Sequence, residues 1–307
     1  MNSPEGNAPR GFVAKILALF VERAGDPAPA APARTSALRS AFTLRGEATP
    51  LLAAAAALTC VGTIILLWAF VTWGKEAESR ILSPVKLPSP AETLEQIPSL
   101  ITERELLKST LWSLRRIALG FLCVVSIGLP LGVLAGAFAG VRAFLTPPVL
   151  FLRYAPVAAL LPLTILWARG VGEGQKVLFL FLASIGFFVH DVASAIGAVE
   201  DRFVNTAATL GANSRQLVVQ VIFPLALPSI VTSMRTVLGV SFGYIVLAEV
   251  IAAEYGLGYL IQSSERRGAK EHIYLVLLVI TSLAFCIDRG LAALERWLFP
   301  YKQGSGR

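Results

Sequence analysis

The sequence predicts an all-α, polytopic membrane protein with six transmembrane helices. Of its 307 residues, 55% are hydrophobic and 15% are charged, whereas a soluble domain has about 25% charged residues. The apolar residues also come in long blocks, and a helix that crosses a membrane needs roughly 20 of them. Six blocks reach or nearly reach that length, and they are 50–73, 117–139, 143–168, 177–199, 224–252 and 273–295. Soluble enzyme classes are therefore largely excluded, and six crossings put both termini on one side.

The charged residues and the cysteines indicate a lipid bilayer as partner and no nucleic acid. The net charge is +7, but the basic residues flank apolar blocks and form no stripe with aromatic residues, which favours membrane headgroups. Cys60, Cys123 and Cys286 lie far apart inside apolar blocks, where cysteine is a small buried hydrophobe. We expect no disulfide, no metal site and no cofactor in this chain. Lysine and arginine are equally frequent in the segments on the two sides of the membrane, so they do not determine which side the termini lie on.

The segments outside the blocks are short. In the N-terminal tail, 11–24 has apolar residues on one helical face, which predicts an amphipathic helix at the membrane surface; a poorly ordered tail is the alternative. Residues 87–101 predict a short helix capped by Ser89 or Pro90. We expect one membrane domain between two tails, with the boundaries 1–49, 50–299 and 300–307.

Two motifs match enzyme signatures without the required context. The glycine-rich stretch before Lys176 lacks the spacing of a phosphate-binding loop, so another polypeptide has to hydrolyse any ATP. The sequence GVSFG around Ser241 matches the nucleophile elbow G-x-S-x-G, but it lies inside an apolar helix and not at a strand-to-helix turn. With His190 and Asp191 as a base, Ser241 would make an intramembrane hydrolase, which stays an alternative.

Several ionisable residues lie at membrane depth, where charges are costly and often functional. A proton-coupled secondary transporter would use such residues as a relay, and this is the second alternative. Asp288 and Arg289 are adjacent and project about 100° apart, so they are poorly placed to pair with each other. The full set is Arg153, His190, Asp191, Arg235, Glu249, Asp288 and Arg289.

The segment 200–230 lies between the fourth and fifth blocks and predicts two helices joined by a tight turn at the membrane surface. Phe203, Ala207 and Leu210 recur at i, i+4 and i+7 on one face of the first helix. Gly211 permits a left-handed turn at the end of that helix. The pattern indicates a compact and rigid surface element.

The second helix of this segment has its own start and stop signals. Asn213 or Ser214 can cap it, and Pro224 and Pro228 are expected to limit or kink it. A rigid surface element joined directly to a membrane-spanning block can transmit a push from a docked partner.

The same segment resembles the loop signature of ABC importer permeases, which is E-A-A, three residues, G, nine residues and then I-x-L-P. Residues 205–207 stand at E-A-A, Gly211 at the glycine and 221–224 at the last part, with the same spacing throughout. Asn205 replaces the glutamate and Phe223 the leucine. Further stretches resemble the nitrate, taurine, sulfonate and bicarbonate branch of that family, and they are 87–94, 159–177, 248–261 and 288–296.

The resemblance implies a permease subunit that forms a translocation pathway by alternating access and has no catalytic site. It implies a coupling helix within 200–223 on the cytoplasmic side, cytoplasmic termini and a place in the cell (inner) membrane. The implied partners are a second, identical permease chain, two cytoplasmic ATP-binding subunits that bind ATP and Mg²⁺, and an external solute-binding protein. The implied solute is a small anion such as nitrate, a sulfonate such as taurine, or bicarbonate.

Two groups of residues are candidate sites. We expect Arg235, roughly 16 Å into the fifth block, to face the dimer interior or a carboxylate such as Glu249. We expect 254–261 to form a short external helix or turn, held by Glu249 through backbone N–H groups or through Arg235. The ATPase-coupling group comprises Asn205, Ala207, Gly211, Ala212 and Pro224. The pathway and gate group comprises Arg235, Ser241, Tyr244, Glu249, Gly256 and Gly258.

Overall fold

The computed structural model describes residues 49–74, 80–84 and 86–300. The chain divides into two compact units, residues 1–67 and 68–307. The helix predicted for 11–24 lies outside the described residues, and the predicted tail and domain boundaries stay predictions. In the described ranges all regular elements are helical, as predicted, and in chain order they are α1 (Pro50–Val71), α2 (Pro90–Glu95), α3 (Ile97–Thr102), α4 (Leu106–Ala137), α5 (Ala139–Tyr154), α6 (Val157–Trp167), α7 (Glu173–Gly197), α8 (Asp201–Thr209), α9 (Ser214–Gln216), a π-helical turn (Leu217–Ile222), α10 (Phe223–Ala252), α11 (Leu257–Arg267) and α12 (Lys270–Leu298).

Five helices in the described part of the chain are long and apolar enough to cross a membrane: α1, α4, α7, α12 and the continuous helix Ser214–Ile251. The block 143–168 instead forms α5 and α6, whose axes are bent by 106°. The bend lies at Ala155, which has an extended backbone with ψ of 132°, because a proline such as Pro156 disfavours the helical conformation of the residue before it. Counted as one broken segment, this pair completes the six membrane segments that the sequence predicts.

Among the described helices, α4 and α7 share the most extensive packing. Gly128, Gly132 and Gly136 recur at every fourth residue of α4 and so lie on one face. A Cβ atom on Gly132 would lie 2.6 Å from Cβ of Val192, and one on Gly136 would lie 2.5 Å from Cβ of Ile196. The glycines therefore let the α4 backbone contact α7 side chains directly.

Ser89 caps the short helix α2, as predicted. Its Oγ accepts a hydrogen bond from the N–H of Glu92 at 3.2 Å, and the Glu92 carboxylate accepts one from the N–H of Ser89 at 2.8 Å, which satisfies two donors at the helix N-terminus. Arg80 donates two further hydrogen bonds to this carboxylate, at 2.7 and 3.2 Å. The Arg80 guanidinium and, after it, the Ser89 N–H lower the pKa of Glu92 to about 2.

Candidate functional site

The surface hairpin, residues 200–223, begins with the predicted helix and tight turn. Gly211 follows α8 in the left-handed conformation, with φ of +88°. Its N–H donates to the carbonyl oxygen of Ala208 at 2.9 Å, and the N–H of Ala212 donates to that of Ala207 at 3.0 Å. This pair of bonds is typical of a helix that ends on a glycine. The left-handed turn predicted at Gly211 is confirmed.

The second helix of the hairpin begins at Asn213. The Asn213 Oδ1 accepts from the N–H of Gln216, and the Gln216 Oε1 accepts from the N–H of Asn213, both at 2.9 Å, so the predicted cap is confirmed. The helix does not end at Pro224 or Pro228 but continues to Ile251. Pro224 is tolerated because it directly follows the π-helical turn, where the regular i→i−4 bonding is already interrupted. No loop therefore separates the hairpin from α10.

The surface hairpin presents apolar side chains around a groove. Leu210 is 84% exposed and Phe203 is 40% exposed. Together with Arg202, Ala207 and Val221 they line an open groove of about 590 Å³. Exposed apolar side chains around a groove are typical of a protein docking surface. The coupling role that the sequence assigns to this hairpin stays a prediction.

A buried network of charged and polar groups lies at the other end of α10. Glu249 is fully buried, and its Oε1 accepts from Nη1 of Arg116 and from Oγ of Ser113, both at 2.7 Å. Its Oε2 accepts from the N–H of Gly258 at 2.9 Å, and the N–H of Leu257 donates to the Ser113 Oγ at 2.9 Å. One carboxylate thus joins α10, α4 and the first turn of α11.

Two glycines let the chain fold over the Glu249 carboxylate. Gly256 has φ of +141°, and a Cβ atom there would overlap the carboxyl group of Glu249. A Cβ atom on Gly258 would lie 2.5 Å from the carbonyl oxygen of Val246. Residues 254–261 accordingly form a turn and the start of α11, as predicted, and Glu249 accepts a backbone N–H bond, as predicted. That this element is external and acts as a gate stays a prediction.

Arg116 is a central residue that the sequence analysis missed. Its Nε and Nη2 donate to the carboxylate of Glu173, the first residue of α7, at 2.7 and 2.6 Å. Its Nη1 also donates to the carbonyl oxygen of Tyr255 at 2.7 Å. One planar guanidinium therefore connects α4, α7, α10 and the turn before α11, a geometry that suits arginine and not lysine.

The role of Arg116 was missed because hydropathy placed the start of α4 too late in the sequence. Hydropathy placed the second block at 117, which left Arg116 as a basic flanking residue, whereas α4 begins at Leu106. The sequence did contain a signal that α4 begins earlier and buries Arg116, because Ser113, Arg116 and Gly120 share one helical face. Those three residues are all buried.

Arg235 forms ion pairs with α12. Its Nη2 donates to Oδ1 of Asp288 at 2.9 Å, and its Nη1 donates to Oε2 of Glu295 at 2.6 Å. The Thr232 hydroxyl donates to the other oxygen of Glu295 at 2.9 Å. The predicted carboxylate contact is confirmed, but pairing with Glu249 is wrong, since Glu249 lies roughly 21 Å further along α10. The two carboxylates lie two turns apart on one face of α12, so a single guanidinium reaches both.

The other two predicted pathway residues on α10 have different surroundings. Ser241 is buried, and its hydroxyl donates to the carbonyl oxygen of Val237 at 2.8 Å. Tyr244 lines a cavity of about 100 Å³ against α7, together with Asp191. His190 lines a separate cavity between α5 and α7. The serine–histidine pair that a hydrolase would need is therefore not assembled.

Comparisons with known proteins identify relatives of this chain. Residues 128–300 match the family model described as binding-protein-dependent transport system inner membrane component. The chain is 34% identical over 246 residues to the taurine transport system permease protein TauC of Escherichia coli, covering 78% of this chain and 88% of that protein. It is 27% identical over 252 residues to the nitrate import permease protein NrtB of Synechocystis, covering 79% of this chain and 88% of that protein. Its fold is similar to a structure of the inward-facing MetNI methionine ABC transporter, with a TM-score of 0.58 and 22% identity, covering 62% of this chain and 94% of that chain.

Proposed function

Because this chain belongs to the family of binding-protein-dependent transport system inner membrane components, the permeases of ABC importers, and to its taurine, sulfonate, nitrate and bicarbonate branch, we propose that it forms the translocation pathway for a small anionic or zwitterionic solute. The observation that carries the proposal is the continuity of the surface hairpin with α10. A partner bound to the hairpin can move a membrane helix directly, with no loop to absorb the movement.

The middle and the far end of α10 are held by different contacts. Towards the hairpin, Arg235 binds α12 through Asp288 and Glu295. At the far end, Glu249 binds Arg116 of α4, which also binds α7. A displaced hairpin therefore has to change how α10 packs against its neighbours. Repacking of this kind can open the pathway to one side of the membrane and close it to the other.

The proposed partners complete the assembly. Two cytoplasmic ATP-binding subunits bind the hairpins and hydrolyse ATP with Mg²⁺, and an external solute-binding protein delivers the solute. A second copy of this chain supplies the other wall of the pathway. Val240, Leu247 and Ile251 are each at least 44% exposed and lie close to one face of α10, which supports a place for the second copy there. This arrangement puts the hairpin and both termini in the cytoplasm.

Reconstitution tests the proposal. The permease is purified with its ATP-binding subunit and binding protein, incorporated into liposomes and supplied with labelled taurine, ethanesulfonate, nitrate or bicarbonate. We expect uptake of at least one solute that requires ATP. Uptake that is driven by an imposed pH gradient without ATP would identify a secondary transporter and contradict the proposal.

A further inference from the structure

A small, mostly apolar cavity that contains a few polar groups lies between α7 and α10, and neither the hairpin nor the Glu249 network uses it. Its volume is about 100 Å³, several times the roughly 30 Å³ that one water molecule occupies in the liquid. Residues of α7 spaced at i, i+3 and i+7 form one wall, and residues of α10 at i, i+4 and i+8 form the other. The lining residues are Ser184, Phe187, Asp191, Thr236, Val237, Val240 and Tyr244.

Two polar groups of this cavity lack partners. Ser184 is 3% exposed, and its buried Oγ has no hydrogen-bond partner. Across the part of the chain that the structure describes, the Asp191 carboxylate has neither a hydrogen bond nor an ion pair. A buried hydroxyl without a partner is destabilising, and a carboxylate inside a membrane-spanning helix is more so. Both groups are therefore suited to a ligand that supplies donors and positive charge.

The remaining polar groups and charges define that ligand further. The Thr236 hydroxyl donates to the carbonyl oxygen of Thr232 at 3.1 Å, so its lone pairs remain available as acceptors. The Arg153 guanidinium lies 5.8 Å from the centroid of the Phe187 ring, which places a positive charge beside the cavity wall. The Asp191 carboxylate in the cavity wall and the Arg153 guanidinium at the Phe187 ring favour a solute with an ammonium group and an anionic group.

We propose that this cavity is a solute subsite that binds the ammonium group of a small zwitterion such as an aminoalkyl sulfonate. Asp191 is the counter-ion of the ammonium group, and Ser184, Thr236 and Tyr244 supply further polar groups along the cavity wall. The cavity adjoins the exposed α10 residue Val240, so a solute can enter it from the proposed pathway. The inference rests on the proposed function and narrows it, because an unpaired carboxylate repels nitrate and bicarbonate.

Direct binding to the permease separates this subsite from the selectivity of the binding protein. The permease–ATPase complex without binding protein is placed in nanodiscs, and ligand-observed NMR measures the Kd of taurine and of ethanesulfonate, which lacks the ammonium group. We expect taurine to bind the wild type at least about tenfold more tightly, in the range expected for one charged hydrogen-bonded contact. D191N should lose this preference with little change for ethanesulfonate, and D191E should retain part of it.

The neighbouring residue provides the control. H190Q changes the adjacent position, which lines the other cavity, and should leave both Kd values unchanged. Equal binding of the two solutes by the wild type, or an undiminished taurine preference in a D191N complex that still assembles with the ATPase, would overturn the subsite. Failure of the proposed function is distinguishable, since it would appear as absent ATP-dependent uptake of every solute in the wild-type liposomes.

Discussion

The guanidinium of Arg116 donates a hydrogen bond of 2.7 Å to Oε1 of Glu249, and so fixes the end of α10 to α4. Both side chains are almost completely buried, with 3% and 0% exposed. The same carboxylate holds the first turn of α11 through the N–H of Gly258. The contact is therefore a structural junction of three helices as well as an ion pair.

Glu249→Gln should lower the free energy of unfolding by about 1–3 kcal/mol, because the buried Arg116 guanidinium loses one of its two carboxylate partners and keeps Glu173. Unfolding of the purified permease in detergent, followed by tryptophan fluorescence, measures the change. Glu105→Gln is the matched control, since Glu105 pairs with Lys108 at an exposed site and such pairs contribute about 0–1 kcal/mol. Equal effects of the two substitutions would contradict the structural role of the Arg116–Glu249 pair.

Gly211→Val should uncouple ATP hydrolysis from uptake while leaving the membrane helices inserted. A β-branched residue is strained at φ of +88°, so the turn of the hairpin and the docking groove should be distorted. Gly268→Val is the control, because Gly268 also has a positive φ, of +77°, and an open surrounding but lies outside the hairpin. Solute-stimulated ATPase activity is the readout. If Gly211→Val behaves like wild type, the hairpin is not the coupling element.

Arg235→Gln should reduce stability by about 1–3 kcal/mol, because Asp288 and Glu295 both lose a charged partner. Since the Arg235 guanidinium is occupied by these two carboxylates, we expect the KM for solute to change little in complexes that assemble. Arg289→Gln, which removes a guanidinium stacked on Phe285, is the control. A large rise in KM with unchanged thermal stability would instead place Arg235 in the solute pathway.

Gly132→Ala should destabilise the protein by about 1–3 kcal/mol through overpacking, since its Cβ would lie 2.6 Å from that of Val192. Gly290→Ala in α12 has no atom within 4 Å of the new Cβ and should be neutral or slightly stabilising. Thermal unfolding of the two variants checks the comparison. If Gly132→Ala leaves the stability unchanged, α4 and α7 are less closely packed than a Cβ–Cβ distance of 2.6 Å implies.

The Arg80–Glu92 pair should give the α2 region a defined pH dependence. Glu92 has a folded-state pKa of about 2 against an ordinary value of 4.5, so its contribution is complete above pH 4.5 and is lost as the pH falls towards 2. The difference in melting temperature between wild type and Glu92→Gln should thus stay constant from neutral pH to about pH 5 and then shrink. A difference that changes mainly above pH 5 would contradict this assignment.

Local sequence signals predicted the elements whose partners lie within a few residues. The caps at Ser89 and Asn213 and the turn at Gly211 depend only on neighbouring backbone groups, so their patterns were sufficient. The bend at Ala155 was harder to predict. Pro156 causes this bend, but a proline does not always end or bend a helix, since Pro162 lies inside α6.

Contacts between distant helices could not be predicted in the same way. Arg235 could reach any carboxylate at a similar depth, and one sequence does not say that α12 packs beside α10. Arg116 was left outside the second block because hydropathy falls where charged residues enter a helix. There it donates hydrogen bonds to the carboxylates of Glu173 in α7 and Glu249 in α10, which are far away in the sequence. These two acceptors explain how a charge is tolerated at that position.

The glycine face of α4 also has an electrical consequence. A cell membrane holds a voltage and a sodium gradient that an importer must not discharge while it moves its solute. Where Gly132 and Gly136 meet Val192 and Ile196, even one added methyl group would not fit, so a water chain that could conduct protons or hydrated ions has no room there. The contact between α4 and α7 thus leaves no route for water or hydrated ions at these residues.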